Sequence, residues 1–224
     1  MNVLTNVYAI IISQNQSSCL KDMYSSLKAR GFIHILFVLD RCNDNSECVL
    51  KEIGAEYIKT PWWWMGRKTS SARNYGLKHI PNNYDVLFLD GDRYIEYGTF
   101  ENIYKGDNDV LLFTLNEDSR DLSIPYSKYE GRVNNNFYSC GVFFRRKAIN
   151  KILKFQKGQL FCKKLEKDWG CEDLYLGDVC YHLCLKTNYY LDVKLHGKFE
   201  KTTFDTLDII KKRFKLRDKL NVKW

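Results

Sequence analysis

The sequence predicts an α/β domain in which helices flank a mainly parallel sheet. Three observations carry this. Short runs rich in β-branched and aromatic residues alternate with stretches whose apolar residues recur at helical spacing. Several of these runs end directly on a polar residue (Ser13, Asp40, Asp90), as strands do where they open into loops. The first three strands are separated by helical stretches, an order that implies parallel pairing through right-handed crossovers.

Residues 3–12 read as a buried strand that opens into Ser13-Gln14-Asn15-Gln16. Residues 19–30 carry Leu20, Met23, Tyr24 and Leu27 at helical spacing, and Gly31 stops the helix. A second buried strand, 33–39, ends at Asp40. The loop 41–46 leads to a helix reaching about Ile53 and then to a short strand at 56–59. Residues 61–68 form a loop with three consecutive tryptophans, and 69–80 form a helix with Thr69 or Ser70 as N-cap. The apolar strand 86–89 runs straight into Asp90-Gly91-Asp92. A strand at 110–115 precedes a polar stretch, 116–136. Residues 137–144 are strand-like, 148–155 and 171–184 helical, and 189–195 a last strand. Residues 1–205 therefore read as one domain, with no repeat or Pro- or Ser-rich linker. Residues 206–224 read as a basic amphipathic helix packed on it.

A chain of 224 residues with 45% apolar and 15% aromatic side chains can build a sizeable core, which disfavours disorder. Its 13 Gly and 3 Pro exclude collagen-like and low-complexity classes. No stretch reaches the roughly 18 to 20 apolar residues of a membrane span, and 7–12 lacks the flanks of a signal peptide. The expected location is cytoplasmic. The 8 cysteines form no Cys-x-x-Cys pair and read as reduced thiols. Of the net charge of +8, residues 208–224 contribute +5, seven basic side chains against two acidic ones. The nearly neutral body argues against nucleic acid as a partner. For the basic helix two readings stand: packing on the domain, or peripheral contact with an anionic membrane surface.

In open α/β sheets, ligands bind at the carboxyl ends of the parallel strands. Ser13, Asp40, Asp90 with Asp92, and Ser139 fall there. Acidic groups at such an edge suit a nucleotide whose ribose and base are held by carboxylates while a metal takes the diphosphate. In Asp90-Gly91-Asp92, two carboxylates flank a turn-permitting Gly, and Mn²⁺ or Mg²⁺ accepts such hard oxygen ligands. The alternative is a solvated turn. Glu172 and Asp173 open a helix after Trp169-Gly170. They read either as first-turn acids favoured by the macrodipole or as a general base on an acceptor hydroxyl beside an aromatic platform. Arg73 lies early in its helix, as a surface arginine or a phosphate contact. His196, in a glycine turn after the last strand, is a candidate third metal ligand. Of the tryptophans 62–64, at least one is expected to be exposed, either as a sugar platform or as loop packing.

The ordered motifs, from Asp40 through Ala72-Arg73-Asn74-x-Gly76 and Leu89-Asp90-Gly91-Asp92 to Trp169-Gly170-x-Glu172-Asp173, resemble those of GT-A glycosyltransferases. The last element is similar to that of the galactosyltransferase and polypeptide N-acetylgalactosaminyltransferase groups. The likeness covers residues from about 5 to 197. It implies a single GT-A domain with a Rossmann-like mixed sheet and a metal-dependent transfer. The sugar would move from a nucleotide-sugar donor, a UDP-sugar, to a hydroxyl of a glycan or glycoconjugate acceptor in polysaccharide biosynthesis. By the same resemblance, Asp40, Arg73 and Asp90 serve the donor, Asp92 and His196 hold Mn²⁺ or Mg²⁺, Asp173 is the base of an inverting reaction and Glu172 binds the acceptor. From the residues themselves, Ser13 and Asp44 join the donor side, Asp90 the metal, and Trp169, Gly170 and Trp63 the acceptor. Two features depart from the pattern: the first loop reads Asp40-Arg41-Cys42-Asn43-Asp44 where many relatives have paired acids, so that Asp44 is expected to share the base-binding role, and Arg93 directly follows the Asp-x-Asp.

Three other classes fit less well. A nucleotidyltransferase of the same fold would carry a glycine-rich loop after its first strand, and 13–18 has no glycine. A nucleic-acid binder would rely on the basic tail alone. A catalytically silent glycan-binding domain would keep the fold without turnover.

Overall fold

The computed structural model describes residues 4–64, 68–115, 141–165 and 171–197. Strands and helices alternate as β1 (Leu4–Ser13), α1 (Ser17–Lys28), β2 (Phe32–Leu39), α2 (Ser46–Glu52), β3 (Glu56–Lys59), α3 (Thr69–Lys78) and β4 (Asp85–Asp90). Then follow β5 (Arg93–Gly98), β6 (Val110–Leu115), β7 (Gly141–Phe144), α4 (Arg146–Phe155), a 3₁₀ turn (Lys163–Leu165), α5 (Cys171–His182) and β8 (Thr187–Gly197).

Among the described residues the strands form one sheet, ordered β3-β2-β1-β4-β7-β6-β8-β5. The pairs β1–β2, β2–β3, β1–β4 and β6–β8 are parallel; β4–β7, β6–β7 and β5–β8 are antiparallel. The expected mixed, mainly parallel α/β sheet is therefore present. Central strands are apolar on both faces because each face carries a core. On one side Ile10, Ile12, Val38 and Phe88 pack with Ala72 of α3, Ile149 of α4 and Val179 of α5. On the other, Ala9, Ile11, Phe37 and Leu89 pack with Leu20, Met23 and Leu27 of α1 and Leu50 of α2. α3 lies unusually close to the sheet: a Cβ on Gly76 would stand 2.8 Å from Cγ2 of both Ile10 and Val38. That approach sets the height of Arg73, one turn earlier, above the strand ends.

Three local expectations need correction. The N-cap of α3 is Lys68, with no side-chain cap bond, and Thr69 is already helical. The buried Ser70 and Ser71 instead face inward under the helix start. The helix expected over 171–184 stops at His182, because Cys184 turns into the left-handed region (φ 50°). Strand β5 was not anticipated. Only its Arg93 and Ile95 are buried, while Tyr94 and Tyr97 are exposed, so it carries no apolar run. The polar stretch 116–136, Ser139, Trp169, Gly170 and the tail 206–224 lie outside the described residues.

Asp44 acts as a joint between two helices. Its Oδ2 accepts from Ser17 N at 2.9 Å, at the start of α1, and its Oδ1 from Ser46 N at 3.1 Å, at the start of α2. Both amides are among the donors a helix start leaves unpaired. Partial burial works to raise the Asp44 pKa, but hydrogen bonds from Ser46 and Ser17 outweigh it and bring the group from 3.8 down to about 2. A depressed carboxyl contributes stability above its unfolded pKa and loses it as pH falls through the folded value. Wild-type stability should therefore fall more steeply than that of Asp44→Asn between pH 4 and pH 2, measured by urea unfolding at each pH. Parallel acid limbs would contradict this role.

Candidate functional site

The sheet order places β1 at the switch point, with β2 and β3 to one side and β4 to the other. Crevices at such points form outside the carboxyl ends of the strands. Here β1 ends at Ser13 and β4 at Asp90. The turn after β4 sits against the end of β1: Gly91 N donates to Ile12 O at 2.7 Å. A Cβ on Gly91 would stand 2.8 Å from Ser13 Cβ and 2.6 Å from Gln16 Oε1, so this close approach requires glycine. Ser13 is fully buried beneath the turn, and its Oγ has no partner among the described residues.

Arg73 stands at the centre. It projects from the first turns of α3, is 3% exposed, and donates from Nη2 to Asp90 Oδ1 at 2.8 Å. Its Nη1 lies 3.7 Å from Asp173 Oδ1 on α5, and the guanidinium sits 5.2 Å from the Phe161 ring centroid. Burial alone would lower the Arg73 pKa, but the charges of Asp90, Asp173 and Glu172 outweigh it and raise it. The neighbouring Asn74 fixes this wall. Its Oδ1 accepts from Leu160 N and Phe161 N at 2.9 and 3.1 Å, and its Nδ2 donates to Phe161 O at 2.7 Å. Glu172 is 1% exposed, whereas the Asp173 side chain is 15% exposed. Of these two acids, Asp173 is the one that reaches the surface of the site.

Asp92 follows the glycine turn. Its carboxylate is one-third exposed, and Oδ1 is buried without a hydrogen-bond donor among the described residues. Arg93 Nε lies 3.4 Å from that oxygen, within ion-pair distance but without hydrogen-bond geometry. Burial raises the Asp92 pKa, the charge of Asp90 adds to this, and Arg93 opposes both. Among the described residues, four carboxylates (Asp90, Asp92, Glu172, Asp173) gather with two guanidinium groups (Arg73, Arg93). A buried carboxylate oxygen without a hydrogen-bond donor, among gathered acids, fits a divalent cation with hard oxygen ligands. No three His, Cys, Asp or Glu side chains converge among the described residues. The side chain of His196 is not among those described, but its backbone is. His196 pairs with Tyr94 and Gly197 with Arg93, so the end of β8 runs alongside the Asp-x-Asp.

On the β2 side, Asp40 is 4% exposed and fully engaged. Arg41 Nε and Nη2 donate to its two oxygens at 2.8 and 2.7 Å, and Thr60 Oγ1 donates to Oδ1 at 3.0 Å. Arg41 adopts φ 54°, a conformation that costs an L-residue about 1 to 2 kcal/mol. Beyond β3, Trp62 and Trp63 are 84% and 62% exposed and meet edge to face at 5.9 Å. Trp64 packs instead on Tyr75 of α3.

The structure therefore brings together Ser13, Asp90, Asp92, Arg73, Glu172 and Asp173 at one edge, with Asp40 beside them and Trp63 on the adjoining loop. Asp44 joins the starts of α1 and α2. A cavity of about 540 Å³ lined by Leu4, Arg30, Gly98 and Phe100 opens at the opposite, amino-terminal end of β1 and does not adjoin these acids. Thr60 and Asn74 went unrecognised as members of the site. Thr60 carried no signal, whereas Asn74 directly follows Arg73.

The chain matches the family model described as glycosyl transferase family 2 over residues 8–153. It is 33% identical over 129 residues to the minor teichoic acid biosynthesis protein GgaB of Bacillus subtilis (strain 168). That match takes in 54% of this chain but 14% of GgaB, so the chain spans about one-seventh of that relative. In structure it resembles glucosyl-3-phosphoglycerate synthase of Mycobacterium tuberculosis in complex with Mn²⁺, UDP and glucosyl-3-phosphoglycerate. The TM-score is 0.65 at 11% identity, covering 98% of this chain and 81% of that one. The same synthase with Mg²⁺ and UDP matches at TM-score 0.61 and 10% identity, covering 98% and 80%. At these identities the likeness is one of fold.

Arg73→Met leaves Asp90, Glu172 and Asp173 without their shared counter-ion. Breaking a buried pair costs roughly 3 to 5 kcal/mol, and partial exposure of Asp90 moves the expectation toward the lower end. Urea unfolding should show a loss of about 3 kcal/mol, and a smaller one for Arg73→Lys. A loss below about 1 kcal/mol for Arg73→Met would contradict the hub.

Proposed function

The chain belongs to glycosyl transferase family 2, and on that premise we propose that it moves a sugar from a nucleotide-sugar donor, a UDP-sugar, to a hydroxyl of a glycan or glycoconjugate acceptor. The observation that carries this is the cluster of four carboxylates against two arginines at the strand ends, with a donor-poor oxygen on Asp92. Such a cluster suits a divalent cation and, through it, a diphosphate.

Asp92, Asp90 and His196 would hold Mn²⁺ or Mg²⁺. When bound, the cation supplies the positive charge that a departing nucleoside diphosphate needs. The relatives support this choice of chemistry: the synthase of the same fold is described with Mn²⁺ or Mg²⁺ and UDP. The name of GgaB, minor teichoic acid biosynthesis, supports an acceptor in cell-surface polymer synthesis. Ser13 and Asp40 line the donor end of the edge. Asp90 serves the ribose or the donor sugar through the oxygen that Arg73 leaves free.

Asp173 acts as the base. It sits in the first turn of α5, where the helix field favours the ionised carboxylate, and Arg73 lies beside it. Its role is to accept the proton of the acceptor hydroxyl as that oxygen attacks the anomeric carbon. Attack opposite the leaving diphosphate gives inversion. Glu172, buried beside it, adds negative charge that keeps Arg73 in place. The similarity of Trp169-Gly170-x-Glu172-Asp173 to the galactosyltransferase and polypeptide N-acetylgalactosaminyltransferase groups supports the same assignment. Trp169, Gly170 and the exposed Trp63 would contact the acceptor, an indole face against the apolar face of a pyranose. The basic segment 206–224 would lie against an anionic membrane surface if the acceptor is membrane-bound.

Turnover of UDP-sugars in the presence of Mn²⁺ or Mg²⁺ tests the reading. Asp173→Asn should lower kcat by about 10² to 10⁴ while leaving donor affinity within a few-fold. Donor binding with no turnover in the unaltered protein, across UDP-sugars and acceptors, would favour a silent glycan-binding domain instead.

A further inference from the structure

The loop after β3 puts two indoles into solvent. Trp64 N donates to Pro61 O at 3.2 Å, which closes a β-turn with Trp62 and Trp63 at its two central positions. Among the described residues these are the most exposed large hydrophobic side chains, at 84% and 62%. Trp64 behaves differently: it packs on Tyr75 of α3. Two neighbouring indoles expose on the order of 300 Å². A contiguous apolar patch of that size marks a surface of contact.

The geometry of the pair narrows what it contacts. A pyranose stacks on one indole face. Trp62 and Trp63 stand at 87° to each other, so a sugar on Trp63 leaves Trp62 unused. A stable interface with a second copy needs about 800 Å² per partner, well beyond what one turn offers. A lipid headgroup layer suits it better, because an indole has an apolar body and an N–H, and settles where one side is apolar and the other wet. Charge points the same way. From Lys59 to Lys68 the sequence has no acidic residue. β3 runs parallel to β2 and β1, so the turn leaves the same carboxyl edge as Ser13 and Asp90. β8 also ends at that edge, where Gly197 pairs with Arg93, and residues 208–224 carry seven basic side chains against two acidic ones. Membrane attachment strengthens both with buried apolar area and with attraction to anionic lipids. We propose that Trp62 docks this edge on an anionic lipid bilayer, with its indole at headgroup level. The docking itself assumes nothing about turnover. That it brings the acids at the strand ends to a membrane-bound acceptor rests on the proposed function.

Co-sedimentation of the full chain with vesicles tests this, comparing phosphatidylcholine alone with phosphatidylcholine mixed with phosphatidylglycerol. The chain should sediment with the anionic vesicles, less so as salt is added, and stay largely in solution with the neutral ones. Trp62→Ser should lower the partition onto anionic vesicles by about tenfold, and Trp62→Phe should recover most of it. Because Trp62 lies in an exposed turn, the thermal transition of Trp62→Ser and its UDP affinity without lipid should match those of the unaltered protein. No sedimentation with anionic vesicles overturns the inference. So does equal sedimentation of Trp62→Ser, which would assign the attachment to another segment. Self-association that Trp62→Ser abolishes, with no vesicle binding, would assign the turn to a second copy instead. Vesicle binding that needs Trp62, in a protein that binds no nucleotide, supports the docking and removes the proposed function.

Discussion

A buried guanidinium holds the chemistry of this molecule in one place. Arg73 has no role in closing the sheet, yet it is the contact through which β4 and α5, far apart in sequence, present their acids to the same volume. A charge so far from water is tolerated only when paired and hydrogen-bonded. Asp90 both pairs with the guanidinium and accepts a hydrogen bond from Nη2, and Asp173 adds an ion pair at 3.7 Å from Nη1, while Nε and Nη1 have no hydrogen-bond partner among the described residues. The packing around it follows from the same need. Gly76 lets α3 settle onto β1 and β2, Asn74 ties down the segment carrying Phe161, and the Phe161 ring backs the guanidinium.

Among the described residues the acids at this edge outnumber the arginines they pair with, and stability alone does not call for such a gathering. Burial raises the Asp92 pKa first, and the like charge of Asp90 adds to it. A protein keeps such an arrangement where a ligand supplies the missing charge. On the proposed function, a metal–diphosphate unit would supply it at Asp90 and Asp92.

Much of this was readable in the sequence because buried parallel strands are apolar on both faces. The runs ending at Ser13, Asp40 and Asp90 mark the sheet and its carboxyl edge together. Strand β5 was hidden because an edge strand needs few buried residues, and its partner β8 lies about a hundred residues later. The placement of Arg73 among carboxylates was also hidden. Sequence shows an arginine near the start of a helix but not that the helix sinks onto the sheet. The sequence places Asp44 on the donor side of a loop; that its two oxygens join the starts of α1 and α2 is a property of the fold. Arg41 was visible as a departure from a familiar pattern, but its left-handed backbone and its hold on Asp40 are properties of the fold.

The central claim is that the carboxylates at the strand ends bind a nucleoside diphosphate through a divalent cation. Calorimetric titration of UDP into the protein, with Mn²⁺ and then with EDTA, tests it most directly. The account predicts one binding event that requires the metal and disappears in Asp92→Ala. UDP binding of equal strength in EDTA, or undiminished by Asp92→Ala, would contradict it.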